Sequence, residues 1–145
     1  MTVRRMDHVG VVVEDLAAAI AFFLELGLEL EGEASLEGGS VDRVVGLHGV
    51  RSDIAMMRTP DGVSRLELSK FHTPKSAGPQ RDAAPNALGI RHVTFEVEDV
   101  EDVLTRLQAH GAVLVGELVR YEDSYRVCYI RGPEGIIVEL AQKLD

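Results

Sequence analysis

The chain has 145 residues, of which 46% are hydrophobic, and this composition is typical of a globular protein rather than a disordered one. Its formal net charge of −9 argues against nucleic acid or an anionic membrane as a partner, because both require a basic surface. The single cysteine, the lack of an apolar stretch of ~18 residues and the lack of a signal-like N-terminus favour a cytoplasmic location.

The first half of the chain predicts a strand, a helix and further strands. Residues 7–13 alternate with a period of two, which is typical of a half-buried strand. Asp15 is the predicted N-cap of a helix that ends at Gly27. The apolar stripe of this helix consists of Leu16, Ile20 and Phe23. Further β-like runs cover residues 28–36, 41–46, 53–59 and 64–70.

The second half repeats this succession after a predicted linker at residues 71–87, which is rich in proline and alanine. A strand is predicted at residues 91–97, followed by a helix with its N-cap at Asp99 and its end near Gly111. The apolar stripe of this helix consists of Val100, Val103, Leu104 and Leu107. Later strands are predicted at residues 112–120, 125–131 and 136–142.

The two halves are copies of one unit. HVGVVVEDLAAAIAFFLELGL, residues 8–28, aligns without a gap with HVTFEVEDVEDVLTRLQAHGA, residues 92–112. A PDG turn precedes the last strand of the first half, and a PEG turn precedes the last strand of the second. The sequence therefore predicts an α+β fold of two tandem βαβββ modules with mostly antiparallel sheets, residues 1–70 and 88–145, within one structural domain.

Strand register singles out four residues. Neighbouring side chains of a strand point to opposite faces, so the apolar positions of each first strand leave His8 and His92 on the face away from the helix. The same alternation in the two closing strands leaves Glu67 and Glu139 on that face. All four side chains thus occupy equivalent places in the two copies.

A solvated sheet face would explain any one of these polar residues. Two histidines and two glutamates in equivalent places are harder to explain in that way. If each sheet curves, its concave face could help to form one cavity. Two imidazole nitrogens and two carboxylates suit a divalent ion such as Zn²⁺, Ni²⁺, Co²⁺, Mn²⁺ or Fe²⁺. His8, Glu67, His92 and Glu139 are therefore the predicted ligands of one divalent metal ion.

The chain resembles the vicinal oxygen chelate superfamily, which includes glyoxalase I, methylmalonyl-CoA epimerase, bleomycin resistance proteins and extradiol dioxygenases. The resemblance covers nearly the whole chain. Residues 8–28 are similar to the opening signature of glyoxalase I, although Phe23 stands where that signature usually has tyrosine or methionine. GIRHVTFEVEDV and the closing GIIVELAQ are at least as similar to the epimerase, which usually has glutamine at the position of Glu67.

The resemblance implies paired modules around a metal and an enzyme of glyoxalase type, a lyase or isomerase. Such an enzyme transfers a proton through a metal-stabilised enediolate of a small α-oxygenated carbonyl compound or its thiol adduct. Glu139 is the predicted principal base, and Glu67 is a ligand and the second candidate base. The resemblance also implies a homodimer, in which the modules could pair within one chain or across two.

Three other functions remain open at this point. An epimerase would transfer a proton on an acyl-CoA, a non-haem iron dioxygenase would consume oxygen, and a drug-binding module would hold a planar molecule without catalysis. The fourth candidate ligand counts against the dioxygenase, and the absence of tryptophan counts against the drug-binding module. The alternation of side chains along the strands adds four further candidates for the lining of the cavity: Arg65, Ser69, Thr94 and Arg126. Residues 121–125 form either a border of the site or a solvated turn.

Overall fold

The computed structural model describes residues 2–78 and 81–145. The chain divides into two compact units, Met1–Gly78 and Pro79–Asp145, each with helices and one sheet. The α+β fold of two βαβββ-type modules is therefore confirmed.

The first unit contains a four-stranded sheet with the spatial order β1-β4-β3-β2. β1 and β4 are parallel, and the other two pairings are antiparallel. Its elements are β1 Val9–Val12, α1 Leu16–Leu26, β2 Glu29–Glu37, α2 Gly39–Val45, β3 Arg51–Arg58 and β4 Arg65–Thr73.

The second unit repeats the arrangement with a five-stranded sheet. The order is β5-β9-β8-β6, with β7 also paired to β8, and β5 and β9 are parallel. Its elements are β5 His92–Glu96, α3 Val100–Gln108, β6 Val113–Leu114, β7 Val119–Tyr121, β8 Tyr125–Arg131 and β9 Ile137–Lys143. A 3₁₀ turn at Pro133–Gly135 connects β8 to β9.

The predicted aspartate caps start α1 and α3. The carboxylate of Asp15 accepts from the amide of Ala18 at 3.0 Å, and that of Asp99 accepts from the amide of Asp102 at 3.1 Å. These bonds satisfy amides that have no partner inside the helix. α1 ends at Gly27, whose φ of 120° favours glycine.

Each of these helices packs one apolar face against the sheet of its own unit. The four predicted residues of α3 are all buried. In α1 the prediction was partly wrong, because Leu16 and Ile20 are only half-buried whereas Phe22 joins Phe23 in the core. The rings of Phe22 and Phe23 meet edge to face, with centroids 5.1 Å apart.

The strand predicted at residues 41–46 was wrong, because the chain forms α2 there. Asp42 lies in the first turn of α2, and its carboxylate accepts from the amides of Gly49 and Val50, both at 2.9 Å. Gly46, with a φ of 73°, ends the helix. The valines in this segment are exposed or half-buried, so no strand face forms.

Two predicted boundaries also differ from the structure. β4 continues through Thr73, three residues into the segment predicted to be a linker. The strand predicted at residues 112–120 is divided into β6 and β7 by irregular backbone around Gly116. Across residues 2–78 and 81–145, no helix is long and apolar enough to cross a membrane.

Candidate metal centre

Parallel pairing of the first and last strands brings one histidine beside one glutamate in each unit. β1 pairs with β4 so that Gly10 lies opposite Glu67, and β5 pairs with β9 so that Thr94 lies opposite Glu139. Each histidine stands two residues before the first member of these pairs. The side chains two apart on a strand share a face, so each histidine and glutamate lie on the same side of their sheet.

In the first unit, Nε2 of His8 lies 3.7 Å from Oε2 of Glu67. The other ring nitrogen, Nδ1, lies 2.8 Å from the carboxylate of Asp7, and this hydrogen bond lowers the pKa of Asp7 below its ordinary value of 3.8. In the neutral tautomer whose Nδ1–H donates to Asp7, the lone pair of Nε2 lies on the side of Glu67. The side chains of His8 and Glu67 are 34% and 27% exposed, so an ion could reach both.

In the second unit, Nε2 of His92 lies 3.9 Å from Oε1 of Glu139. Here the group near Nδ1 is the hydroxyl of Tyr129, 3.4 Å away, and the two rings are in contact with centroids 4.9 Å apart. The hydroxyl of Thr94 donates to Oε1 of Glu139 at 2.7 Å. Both histidines thus direct Nε2 to a glutamate and Nδ1 to an oxygen of a neighbouring side chain.

The two pairs fit the chemistry of a divalent metal. Two ligands held about 2.1 Å from one ion at a tetrahedral angle lie about 3.4 Å apart. The separations of 3.7 Å and 3.9 Å are within about half an ångström of that value. Within the described residues, no group of three or more His, Cys, Asp or Glu side chains is arranged to hold a metal ion, so the structure shows two His–Glu pairs and not a complete ligand set.

A cavity of about 470 Å³ lies on the same face of the second sheet as Glu139. Thr94 and Glu96 border it beside Glu139. Tyr121 and Tyr125, which are opposite each other in the β7–β8 hairpin, border it with Val127. A carboxylate thus faces a largely apolar space in which a small organic molecule fits.

Comparison with known proteins identifies the family. The sequence profile of the Glyoxalase/Bleomycin resistance protein/Dioxygenase superfamily matches residues 5–140. The chain belongs to this superfamily. The vicinal oxygen chelate assignment expected from the sequence is thereby confirmed.

Solved structures show the same superfamily fold. A glyoxalase family protein from Bacillus cereus is 54% identical, with a TM-score of 0.97 over 100% of this chain and 97% of that one. A trypanothione-dependent glyoxalase I from Leishmania major is 20% identical, with a TM-score of 0.67 over 97% of this chain and 87% of that one. A mutant fosfomycin resistance protein from Listeria monocytogenes, in complex with Mn(II) and a dihydroxypropylphosphonic acid, is 14% identical, with a TM-score of 0.65 over 96% of this chain and 90% of that one.

The structure also shows where the four further candidates for the cavity lining lie. Thr94 contacts Glu139 as the alternation of side chains indicates, whereas Arg126 instead donates to Glu101 of α3 and so lies on the helix side of its sheet. Arg65 donates to Glu31 at 3.0 Å, and Ser69 is buried. The superfamily resemblance could not show which of these four residues face the site, because it extends only to the positions of the proposed metal ligands.

Asp7 and Tyr129 were not predicted, whereas a border of the site was one of the two alternatives for residues 121–125, and Tyr121 and Tyr125 line the cavity. Asp7 adjoins His8 in the sequence, and a carboxylate beside a histidine is a signal that could have indicated it. Tyr129 is opposite Glu139 across β8 and β9, and that register depends on the turn between the strands. Cys128, the neighbour of Tyr129, is buried, and its burial raises the pKa of the thiol.

Proposed function

We propose that this member of the superfamily is a divalent-metal-dependent lyase or isomerase of glyoxalase type. It acts on a small α-oxygenated carbonyl compound or its thiol adduct. The observation that carries the proposal is the repetition of one His–Glu pair at the same place in both units. A solvated surface does not require this repetition, whereas a metal with two ligands from each unit does.

His8, Glu67, His92 and Glu139 are the proposed protein ligands of the ion. The donor set of two imidazoles and two carboxylates accepts Zn²⁺, Ni²⁺, Co²⁺, Mn²⁺ or Fe²⁺. When bound, such an ion polarises carbonyl oxygens of the substrate and neutralises negative charge that develops on them. Asp7 and Tyr129 would orient the two imidazole rings through Nδ1.

Glu139 is the proposed principal base, because it borders a cavity large enough for a small organic substrate. The hydroxyl of Thr94 bonds one carboxylate oxygen of Glu139 and would hold the other toward the substrate. Glycine occupies the equivalent place opposite Glu67, so the first unit has no hydroxyl there. We therefore assign Glu67 as a ligand and second base rather than the principal one.

The first test is metal content per chain, measured by elemental analysis on protein purified without chelator. We expect one equivalent of a transition metal, and its loss in the His8→Ala/His92→Ala double variant. His48→Ala is the matched control, because His48 lies in an exposed loop beyond α2. If no metal binds after incubation with any of the five ions, or if the double variant retains it, the metal proposal is wrong.

The second test separates the base from the ligands. Metal-loaded protein should convert the hemithioacetal of an α-ketoaldehyde and a thiol, and Glu139→Gln should reduce turnover at least about 100-fold, the usual size of a general-base effect. Metal content should be largely retained, because an amide oxygen can replace one carboxylate oxygen. Unchanged turnover would remove Glu139 from the mechanism, and oxygen uptake with Fe²⁺ would favour a dioxygenase instead.

The resemblance also supports a homodimer acting on a small molecule. Sedimentation equilibrium of the full chain measures this assembly directly, with and without the metal. A monomer at micromolar concentration that still binds one ion per chain would contradict the dimer and leave the metal site intact.

A further inference from the structure

The cavity of the second unit has one polar end and one apolar end. Glu139 and Thr94 form the polar end, on β9 and β5. The apolar end is formed by Tyr121, Tyr125 and Val127, on β7 and β8, and Glu96 borders the cavity beside Ala141. A molecule whose reacting group lies beside Glu139 would therefore extend its remaining part toward the tyrosines.

The hairpin keeps the two tyrosines next to each other. Tyr121 and Tyr125 are directly opposite across β7 and β8, so their side chains lie on the same face. The turn between them is tight, with φ values of 48° at Glu122 and 56° at Asp123, and the amide of Ser124 donates to the carbonyl of Tyr121 at 3.0 Å. Two aromatic rings on a short hairpin are suited to contact a flat or branched apolar group.

The charges around this cavity are unsuited to an anionic group. Two of its lining residues, Glu96 and Glu139, are acidic, and none of its described lining residues is lysine or arginine. Arg120, on β7, forms an ion pair with Asp123 at 3.1 Å and alternates with the lining Tyr121, so it lies on the other face. Lys143 is opposite Tyr125 and therefore shares its face of the sheet, but it is not one of the residues that line the cavity.

We infer that this cavity holds an uncharged aromatic or branched apolar substituent of the substrate against the side chains of Tyr121 and Tyr125, while the carbonyl group lies beside Glu139. The inference rests on the proposed function for the place of the carbonyl group. It separates this chain from enzymes whose substrates carry a phosphate or phosphonate at that position, since such a group needs cationic partners.

Three chelating probes test the inference in the Zn²⁺-loaded full-length protein. Benzohydroxamate, acetohydroxamate and phosphonoacetohydroxamate share one metal-binding group and differ only in the substituent. Calorimetric titration should show benzohydroxamate binding about tenfold more tightly than acetohydroxamate. Phosphonoacetohydroxamate should bind more weakly than both. If phosphonoacetohydroxamate binds most tightly, the inference is wrong, and the affinity of Lys143→Ala then shows whether Lys143 is the cation responsible.

Variants of the hairpin show which residues cause the preference for benzohydroxamate over acetohydroxamate. The double variant Tyr121→Ala/Tyr125→Ala should bring the affinities for benzohydroxamate and acetohydroxamate to within about twofold of each other, because the apolar contact is lost. Its affinity for acetohydroxamate should not change. Arg120→Ala is the matched control on the other face of the hairpin and should keep the tenfold ratio of the native chain. A preference that persists in the tyrosine variant would overturn the inference.

A metal-free measurement distinguishes failure of the cavity from failure of the metal site. If no hydroxamate binds, the metal proposal fails, but chelator-treated protein can still be titrated with benzamide and with phosphonoacetate. Benzamide should shift the amide NMR signals of Val127 and Ala141, and phosphonoacetate should leave them in place. Shifts with phosphonoacetate alone, or with neither probe, would overturn the inference about the cavity.

Discussion

The carboxylate of Asp7 lies 2.8 Å from Nδ1 of His8, on the side of the ring away from Glu67. A carboxylate in this position holds the ring in one tautomer and makes Nε2 a better metal donor. Asp7 therefore contributes to the proposed centre although it is not a ligand. Tyr129 takes the corresponding place beside His92 without a formal charge.

Replacing Asp7 should weaken metal binding. Asp7→Asn removes the negative charge beside His8, and we expect the affinity for Zn²⁺ to fall about 10–100-fold. Competition with a chromophoric chelator measures this change. Asp53→Asn is the control, because the carboxylate of Asp53 lies 2.7 Å from His72 on the opposite face of the first sheet. An equal loss in both variants would show that the effect is not specific to the centre.

The glycines of the two equivalent turns should respond differently to alanine. Gly62 and Gly135 have φ values of 76° and 84°, so alanine strains both. A Cβ on Gly62 meets no atom within 4 Å, whereas a Cβ on Gly135 would overlap the backbone of Arg81. We expect Gly62→Ala to lower the free energy of unfolding by about 1 kcal/mol and Gly135→Ala by about 2–4 kcal/mol in urea titrations. Equal losses would mean that the backbone near Arg81 moves aside freely.

The stability of the segment after α2 should depend on pH through Asp42. The amides of Val50 and Gly49 donate to its carboxylate and lower the pKa of Asp42 below 3.8. A lowered pKa in the folded state stabilises the protein above the unfolded-state pKa, and this stabilisation is lost as the pH falls through the folded-state value. Asp42→Asn should therefore melt at a lower temperature than the native chain at neutral pH, and this difference in melting temperature should narrow as the pH falls below 3.8. A difference in melting temperature that does not change with pH would exclude the charge of Asp42 as its cause.

The β7–β8 turn should become more stable with residues that favour positive φ. Glu122 and Asp123 both adopt left-handed backbone, which costs ordinary residues about 1 kcal/mol each. Asn-Gly is the preferred pair for such turns. Glu122→Asn/Asp123→Gly should therefore raise the free energy of unfolding by about 1 kcal/mol in urea titrations. Ser124→Gly, at a position of ordinary φ, should lower it, and a gain in both variants would contradict this account.

The alternation of β1 and β5 was sufficient to predict that His8 and His92 lie on the same faces as Glu67 and Glu139, because a side chain in a strand can point to only one of two faces. Asp15 and Asp99 were predictable for a similar reason. A short acidic side chain immediately before an apolar helical stripe has few other roles. These features depend on residues that are close in sequence.

The features that were missed depend on residues distant in sequence. α2 was mistaken for a strand because its stabilising contacts join Asp42 to Gly49 and Val50, across a loop whose path the sequence does not reveal. The contact of Tyr129 with His92 requires the register of β8 on β9 and of β9 on β5 together. Alternation restricts a side chain to one face but does not determine its neighbour on the next strand.

The parallel pairing of β1 with β4, and of β5 with β9, has a consequence for the order in which the protein is made. In each unit the histidine leaves the ribosome first, and its glutamate emerges only with the final strand of that unit. Such distant strands can pair only after the intervening chain has closed into a loop. A nascent or truncated chain that lacks β9 therefore carries His92 without Glu139, so the proposed metal centre would be complete only after the last strand of each unit has been made.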